Sequence, residues 1–225
     1  MLSATLLTTS RQRRVNHDSR SEAAYRILKE KIVSLELSPA SLLNEAELMA
    51  ELDLGRTPIR EALQRLALEN LVVILPRRGT IVADVNMSDL QKIFEIRLEL
   101  EVYAVQLAAE RATPAQIAEM ELLFANCDEI IHRGDYDQLI RLDHQAHRLL
   151  AQAAHNEFLE EILERLYNHV LRLWYVSLHK VSRLTEAIAE HRDIIAAVKA
   201  GDGQRAGEIM RAHIAGFQAQ FVAVL

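Results

Sequence analysis

The sequence has few residues that interrupt helices, a single cysteine and no long apolar run. Four prolines and seven glycines in 225 residues leave long stretches rich in Ala, Leu, Glu and Arg, which favour helix over sheet. The lone Cys127 excludes an internal disulfide within these residues and is consistent with a reducing, cytoplasmic environment. No apolar run approaches the roughly 18 residues that a membrane-spanning helix needs, so no membrane partner is expected.

Charge is unevenly distributed along the chain, whose net charge is −6. Residues 1–85 carry 12 Lys and Arg against 11 Asp and Glu, whereas residues 86–225 carry 14 against 21. This asymmetry predicts two domains with different partners. We expect a flexible tail over residues 1–20, a first domain over 21–85 and a second over 86–225. The alternative for the Arg-containing tail is a basic arm that touches nucleic acid.

The first domain combines three short helical patterns with two β-rich runs. Leu71–Leu75 and Thr80–Val85 are joined by Pro-Arg-Arg-Gly, which predicts a hairpin. Three helices followed by a two-stranded ribbon are typical of a winged helix-turn-helix domain. The helical patterns span residues 21–35, 45–52 and 57–70.

Arginines crowd the N-terminal turns of the third helix, which in a helix-turn-helix enters the major groove. Arg56, Thr57 and Arg60 are positioned to reach base edges and phosphates, because an arginine fork fits both guanine and phosphate. Arg78 and Gly79 lie at the predicted hairpin tip, the wing. The alternative is that these arginines are solvated helix charges that pair with neighbouring acids.

The second domain is predicted to be an antiparallel bundle of six helices joined mostly by short connectors. One of these helices is predicted to begin after Thr113 and to end before Gly134. Three of these helices carry a carboxylate or an imidazole on an otherwise apolar stripe. Buried carboxylates and imidazoles need partners. Four such residues are present, and binding of all four to one cation would give each of them a partner. The four residues are Asp143, His147, His191 and His213.

Three neutral imidazoles and one carboxylate suit Zn²⁺, or a similar divalent ion such as Ni²⁺. The alternative is a hydrogen-bonded polar network in the core. A further charged residue, Arg97, lies on the apolar stripe of the first bundle helix, where a guanidinium must meet an anion. The sequence predicts that Arg97 binds the carboxylate of a small effector, with an internal salt bridge to Glu101 or to a facing acid as the alternative.

The stretch GRTPIREALQRLALENLVVILPRRGTIVADV, residues 55–85, resembles the DNA-binding domain of the GntR family of bacterial transcription regulators. Two positions depart from the family pattern. Gly55 stands where the family usually has a Ser or Thr that caps the helix, and Ala46 stands where many members have a contacting Arg. Both bear on the strength of phosphate anchoring and not on the binding mode. The DNA-contacting residues that the resemblance implies are Arg56, Thr57, Arg60, Arg78 and Gly79.

The helical region after residue 86 resembles the FCD domain, the effector-binding domain of the FadR-type branch of that family. Asp143, His147, His191 and His213 match the positions of the family's frequent metal ligands. Six helices instead of seven make the region more similar to the shorter VanR-type subgroup. The resemblance implies a homodimeric repressor that binds a near-palindromic operator and is released by a small carboxylate effector.

Two other functions compete with that of an effector-responsive regulator. A metal held by His and Asp could activate water in an enzyme, but no Ser-His-Asp arrangement, phosphate loop or HExxH motif is present, and an enzyme needs no arginine-bearing recognition helix. We therefore expect no enzyme. In a direct metal sensor the ion itself would be the signal.

Overall fold

The computed structural model of the chain describes residues 20–177 and 184–224, and it divides after Val85 into two compact units. The tail predicted over residues 1–20 lies outside the described residues except for Arg20, which belongs to a helix. No helix in the described part of the chain is long and apolar enough to cross a membrane.

Three helices surround the core of the first unit: α1 over residues 20–33, α2 Glu45–Leu52 and α3 Arg56–Leu68. Asn44 caps α2, because its side-chain oxygen accepts a hydrogen bond from the Ala46 N–H at 3.0 Å. The buried face of α3 includes Ile59, Ala62, Leu63 and Leu66. The core contains Ala24, Leu28, Ile32, Leu48, Ile59, Ala62, Leu63 and Leu66.

A small antiparallel sheet completes the first unit. Its strands are β1 Leu42–Leu43, β2 Val72–Leu75 and β3 Gly79–Val82, in the order β1-β3-β2. The β2–β3 hairpin is the predicted ribbon, although β3 ends before the predicted Val85. The strand β1 was not predicted, because two residues are too short to show the alternation of a strand.

The second unit has one helix more than predicted among its described residues. The segment predicted as a single helix after Thr113 forms two helices, because the chain turns at Phe124–Asn126. There the N–H groups of Phe124 and Ala125 bond to carbonyls three residues back instead of four. The helix count therefore no longer supports the likeness to the VanR-type subgroup. The helices are α4 Met87–Arg111, α5 Pro114–Leu123, α6 Cys127–Arg133, α7 Tyr136–Ala153, α8 Glu157–Ser177, α9 Leu184–Lys199 and α10 Gly203–Val224.

The helices α10 and α4 approach each other closely at a glycine. A β-carbon at Gly207 would lie 3.0 Å from Gln106 Nε2 and 3.2 Å from Val102 Cγ1. The absence of a side chain at this position therefore avoids a tight contact between α10 and α4.

Replacement of Leu63 by Ala should destabilise the first unit, because Leu63 is only 2 % exposed within its core. A cavity of this kind costs about 2–5 kcal/mol and should lower the melting temperature of this unit by about 8 °C or more. Calorimetry of the whole chain measures the shift. Leu68→Ala is the matched control, since Leu68 is 79 % exposed, and an equal loss in both variants would contradict the assigned core.

Candidate functional site

The three predicted DNA-contacting residues of α3 are all exposed. Arg56 and Thr57 form its first turn, and Arg60 lies one turn further along. The Nε atom of Arg60 is 2.9 Å from Glu45 Oε2, an exposed ion pair that DNA phosphate can replace. Gly55 precedes the helix and provides no side-chain cap, so the first N–H groups of α3 remain open to an anion.

The predicted wing residues lie at the tip of the β2–β3 hairpin. Arg78 is exposed, and its N–H donates to Leu75 O at 3.1 Å to close the turn. Gly79 has a φ of +100°, a backbone conformation that side-chain-bearing residues rarely adopt. Glycine here therefore shapes the tip that presents Arg78.

The four predicted metal ligands come together inside the second unit. The helix α7 carries Asp143 and His147 one turn apart, α9 carries His191 and α10 carries His213. All four side chains are buried, and one ligand atom from each lies within 4.8 Å of the others. Three helices thus bring a carboxylate and three imidazoles to one point.

Each of the three imidazoles has an oxygen atom beside its Nδ1 atom. His147 Nδ1 contacts the carboxylate of Glu101, and His213 Nδ1 lies 2.8 Å from Glu190 Oε2. His191 Nδ1 lies 2.8 Å from the carbonyl oxygen of Ala187, one turn earlier on the same helix. A neutral imidazole that donates from Nδ1 has its lone pair on Nε2. All three Nε2 atoms are therefore acceptors.

His147 Nε2 and His213 Nε2 face each other at 3.3 Å. If both rings carry their proton on Nδ1, neither of these Nε2 atoms can donate to the other, and both present a lone pair. His191 Nε2 and Asp143 Oδ1 are buried without a hydrogen-bond partner within the described residues. The other carboxylate oxygen of Asp143 accepts from the Tyr167 hydroxyl, which orients the group. Three lone pairs and an unpartnered carboxylate oxygen fit a divalent cation of the zinc type.

Burial controls the protonation of this cluster. It lowers the pKa of His191 to about 4 and that of His213 well below its ordinary value. Burial alone would raise the pKa of Asp143, but the three neighbouring histidines and the Tyr167 hydroxyl outweigh it and lower this pKa. His191 and His213 are therefore neutral and the Asp143 carboxylate is charged near neutral pH, which are the forms that bind a metal.

Arg97 lies behind the cluster and pairs with Glu101, the alternative that the sequence left open. Its Nε atom is 2.5 Å from Glu101 Oε1, and its guanidinium carbon is 4.8 Å from the centre of the Tyr167 ring. Burial alone would raise the pKa of Glu101, but Arg97 and then His147 outweigh it and hold that pKa below its usual range. Glu101 is thus a charged bridge between Arg97 and a predicted ligand.

Glu190 and Tyr167 were missed by the sequence analysis. Glu190 directly precedes His191 and resembles an ordinary solvated helix acid, since its partner His213 is on another helix. Tyr167 lies on the apolar stripe of α8, so in the sequence it resembles a residue that only packs in the core. Only the three-dimensional crossing of α7, α8, α9 and α10 reveals their contacts.

A pocket of about 310 Å³, including its open mouth, adjoins the cluster between α4, α7 and α8. His147 belongs to both the cluster and the pocket wall. Arg97 is absent from the described residues that line it, so the prediction that Arg97 binds an effector carboxylate directly stays a prediction. The lining residues are Glu101, His144, His147, Arg148, Ala151, Glu160, Leu163, Glu164 and Tyr167.

A three-helix unit with a hairpin wing, together with a helical bundle that encloses an acid–imidazole cluster, defines the class of winged helix-turn-helix regulators with a helical sensor domain. Residues 20–82 match the bacterial regulatory proteins of the gntR family, and residues 92–216 match the FCD domain. The chain belongs to the GntR family of DNA-binding transcriptional regulators and has a C-terminal FCD effector-binding domain. The prediction of a regulator instead of an enzyme is thereby confirmed.

Two curated relatives and one solved structure illustrate the similarity. The chain is 30% identical to the HTH-type transcriptional repressor RspR of Escherichia coli, over 86% of this chain and 85% of that protein. It is 31% identical to the regulator McbR of Escherichia coli, over 80% and 84% of the two chains. The solved structure of E. coli McbR/YncC has a TM-score of 0.81 at 26% identity and covers 91% of this chain and 97% of its own.

The metal-free protein should lose stability as the pH falls from neutral to about 4. The unfolded chain protonates His191 near pH 6.5, whereas the folded chain does so only at a pKa of about 4. The contribution of neutral His191 to the free energy of unfolding is therefore fully present above pH 6.5 and decreases as the pH falls toward 4. Thermal unfolding in a chelator measures it. A melting temperature that does not change over this interval would contradict the assignment of His191 as buried and neutral. The variant His191→Asn should show a smaller change of melting temperature with pH.

Proposed function

We propose that this regulator is a cytoplasmic, homodimeric repressor whose FCD domain holds a divalent metal ion and senses a small organic acid beside it. The observation that carries the proposal is the convergence of three Nε2 lone pairs and the Asp143 carboxylate. The repressor role is supported by the similarity to RspR, which is named as a repressor.

The metal proposed for the site is zinc, with nickel as the second candidate. Asp143, His147, His191 and His213 would hold it, and Glu101, Glu190 and the Ala187 carbonyl would fix the orientation of the rings. When bound, such an ion supplies a positive charge that attracts an effector carboxylate.

The pocket next to His147 is the proposed effector site. It touches the ligand His147, so an effector there lies close to the metal. Arg97 is proposed to take part through Glu101, because its guanidinium is already paired with that carboxylate. The sequence predicts that Arg97 binds the effector carboxylate directly, and this would require that the effector replace Glu101 as the partner of the guanidinium.

Operator DNA is the proposed partner of α3 and the wing. Arg56, Thr57 and Arg60 would enter the major groove, and Arg78 with Gly79 would contact the flanking backbone. In a homodimer the two recognition helices read the halves of a near-palindromic site. Because effector and operator affinities are coupled, binding of the effector by the FCD domains weakens the operator complex.

A direct metal sensor is the second candidate function. It is supported by the same buried cluster, which can hold an ion without any organic ligand. The two functions differ in one measurement: in a metal sensor, addition of a chelator alone changes operator affinity, whereas in an acid sensor the change requires the organic ligand.

Arg56→Ala and Arg60→Ala should each weaken binding to a duplex selected from a random-sequence library by about 1–3 kcal/mol. Each removes one exposed guanidinium from the N-terminal turns of α3. Fluorescence anisotropy at several salt concentrations measures the loss. Arg205→Ala, which removes an exposed charge from α10, is the matched control. Unchanged binding by both α3 variants would refute the recognition-helix assignment.

The double variant His147→Ala with His191→Ala should lose its bound metal and melt at a lower temperature, since half of the four ligands are gone. Elemental analysis of the purified protein measures the metal content. His132→Ala is the matched control, because His132 is an exposed histidine of α6. Stoichiometric metal in the double variant would rule out the proposed site.

A further inference from the structure

Two arginines in the first turns of α3 have different surroundings, although they lie only one helical turn apart. Arg56 is exposed and has no hydrogen-bond or ion-pair partner among the residues that the structure describes. Arg60 pairs with Glu45, the first residue of α2, and its Nε atom lies 2.9 Å from Glu45 Oε2. The spacing of four residues places both guanidinium groups on one face of the helix. This face of α3 therefore presents one fully charged arginine and one whose charge is partly compensated.

The Glu45 carboxylate is stabilised in its place by more than the contact with Arg60. Its side chain is 32 % exposed, against 58 % for the side chain of Arg60. It also belongs to the N-terminal turn of α2, where the helix dipole favours a negative charge. Because its own helix stabilises the carboxylate, we expect Glu45 to keep its contact with Arg60 when α3 meets DNA.

The contact with Glu45 occupies only the Nε edge of the Arg60 guanidinium. No other hydrogen bond or ion pair of Arg60 is present within residues 20–177 and 184–224, so its two Nη groups are available to a ligand. These two groups form a fork that matches the O6 and N7 atoms of guanine in the major groove. The carboxylate on Nε also restricts the orientation of the fork before DNA arrives, which reduces the entropy lost on binding.

The charge of Glu45 opposes phosphate binding more than it opposes base reading. Attraction to a phosphate depends on net charge, and a carboxylate 2.9 Å from Nε cancels much of the charge of Arg60. Hydrogen bonds to a base edge depend on donors at fixed positions, which the ion pair preserves. We propose that Glu45 is a positioning residue that makes Arg60 a reader of a guanine base, while Arg56 anchors a phosphate. This inference rests on the proposed function, because it takes α3 as the recognition helix.

The two arginines should differ in base preference and in salt dependence. Fluorescence anisotropy of the full chain compares the selected duplex with duplexes in which one base pair at a time is exchanged, at several salt concentrations. Arg60→Ala should lose about tenfold of preference at one G·C pair in each half-site and should leave the salt slope nearly unchanged. Arg56→Ala should keep the base preferences and lower the salt slope by about one for each bound subunit. A uniform loss of affinity with a lower salt slope in Arg60→Ala would overturn the inference, because Arg60 would then hold a phosphate.

The role of Glu45 is tested with Glu45→Ala, which removes both the carboxylate and its contact with Arg60. This variant should bind random-sequence duplex more tightly, with a steeper salt slope, and should lose about tenfold of preference at the G·C pair that Arg60 reads. Glu47→Ala is the matched control, because Glu47 is an exposed acid of the same helical turn whose hydrogen bond is to Asn44. It should leave the base preferences unchanged. Unchanged base preferences in Glu45→Ala, or the same loss in both variants, would overturn the inference.

A double-mutant cycle measures whether Glu45 acts through Arg60. In a chain that already carries Arg60→Ala, Glu45→Ala should cause no further loss of preference at that base pair, because the arginine that it positions is gone. A further loss of similar size would refute the positioning role. Circular dichroism and thermal melting check that each variant is folded. If Glu45→Ala unfolds the first unit, Glu45→Gln replaces it, with an expected loss of preference of about threefold.

The same measurements distinguish failure of this inference from failure of the proposed function. If neither arginine variant changes binding to the selected duplex, α3 is not the recognition helix and both proposals fail. If both variants weaken binding but Arg60→Ala retains every base preference, α3 remains the recognition helix, and the roles inferred for Arg60 and Glu45 are refuted.

Discussion

Acceptors at three Nδ1 atoms determine the chemistry of the second unit. Glu101, Glu190 and the Ala187 carbonyl each lie beside the Nδ1 atom of one buried histidine, and an imidazole that donates its Nδ1–H to such an acceptor has its lone pair on Nε2. Without this arrangement the imidazoles could donate to one another or to Asp143 and would form an ordinary polar core. With this arrangement, the four side chains have lone pairs that face no hydrogen-bond donor among the described residues, and these lone pairs can coordinate a cation.

The same contacts connect the cluster to the rest of the bundle. Glu101 joins α4 to α7 through His147 and is itself held by Arg97, while Glu190 and His213 join α9 to α10. A ligand in the adjoining pocket would touch Glu101 and His147, the two residues that join α4 to α7. This connection gives a physical route by which occupancy of the pocket can alter the bundle.

The sequence predicted most of the fold because its helices are long and amphipathic, and it predicted the four cluster residues because polar groups stood on apolar stripes. It missed the turn after Leu123, since Phe124 and Cys127 continue a helical pattern while the backbone bonds shift to a tighter spacing. The partners Glu190 and Tyr167 could not be predicted, because their roles depend on which helices cross. Arg97 and Glu101 were recognisable as a pair from their spacing of one turn.

The most direct test of the account is a long-range proton–nitrogen NMR correlation spectrum of the histidine rings in the metal-loaded protein. The account predicts that His147, His191 and His213 are all protonated at Nδ1 and unprotonated at Nε2, with the Nε2 signals displaced by the metal. A proton on Nε2 of any of the three would contradict it, because that nitrogen could then bind no cation.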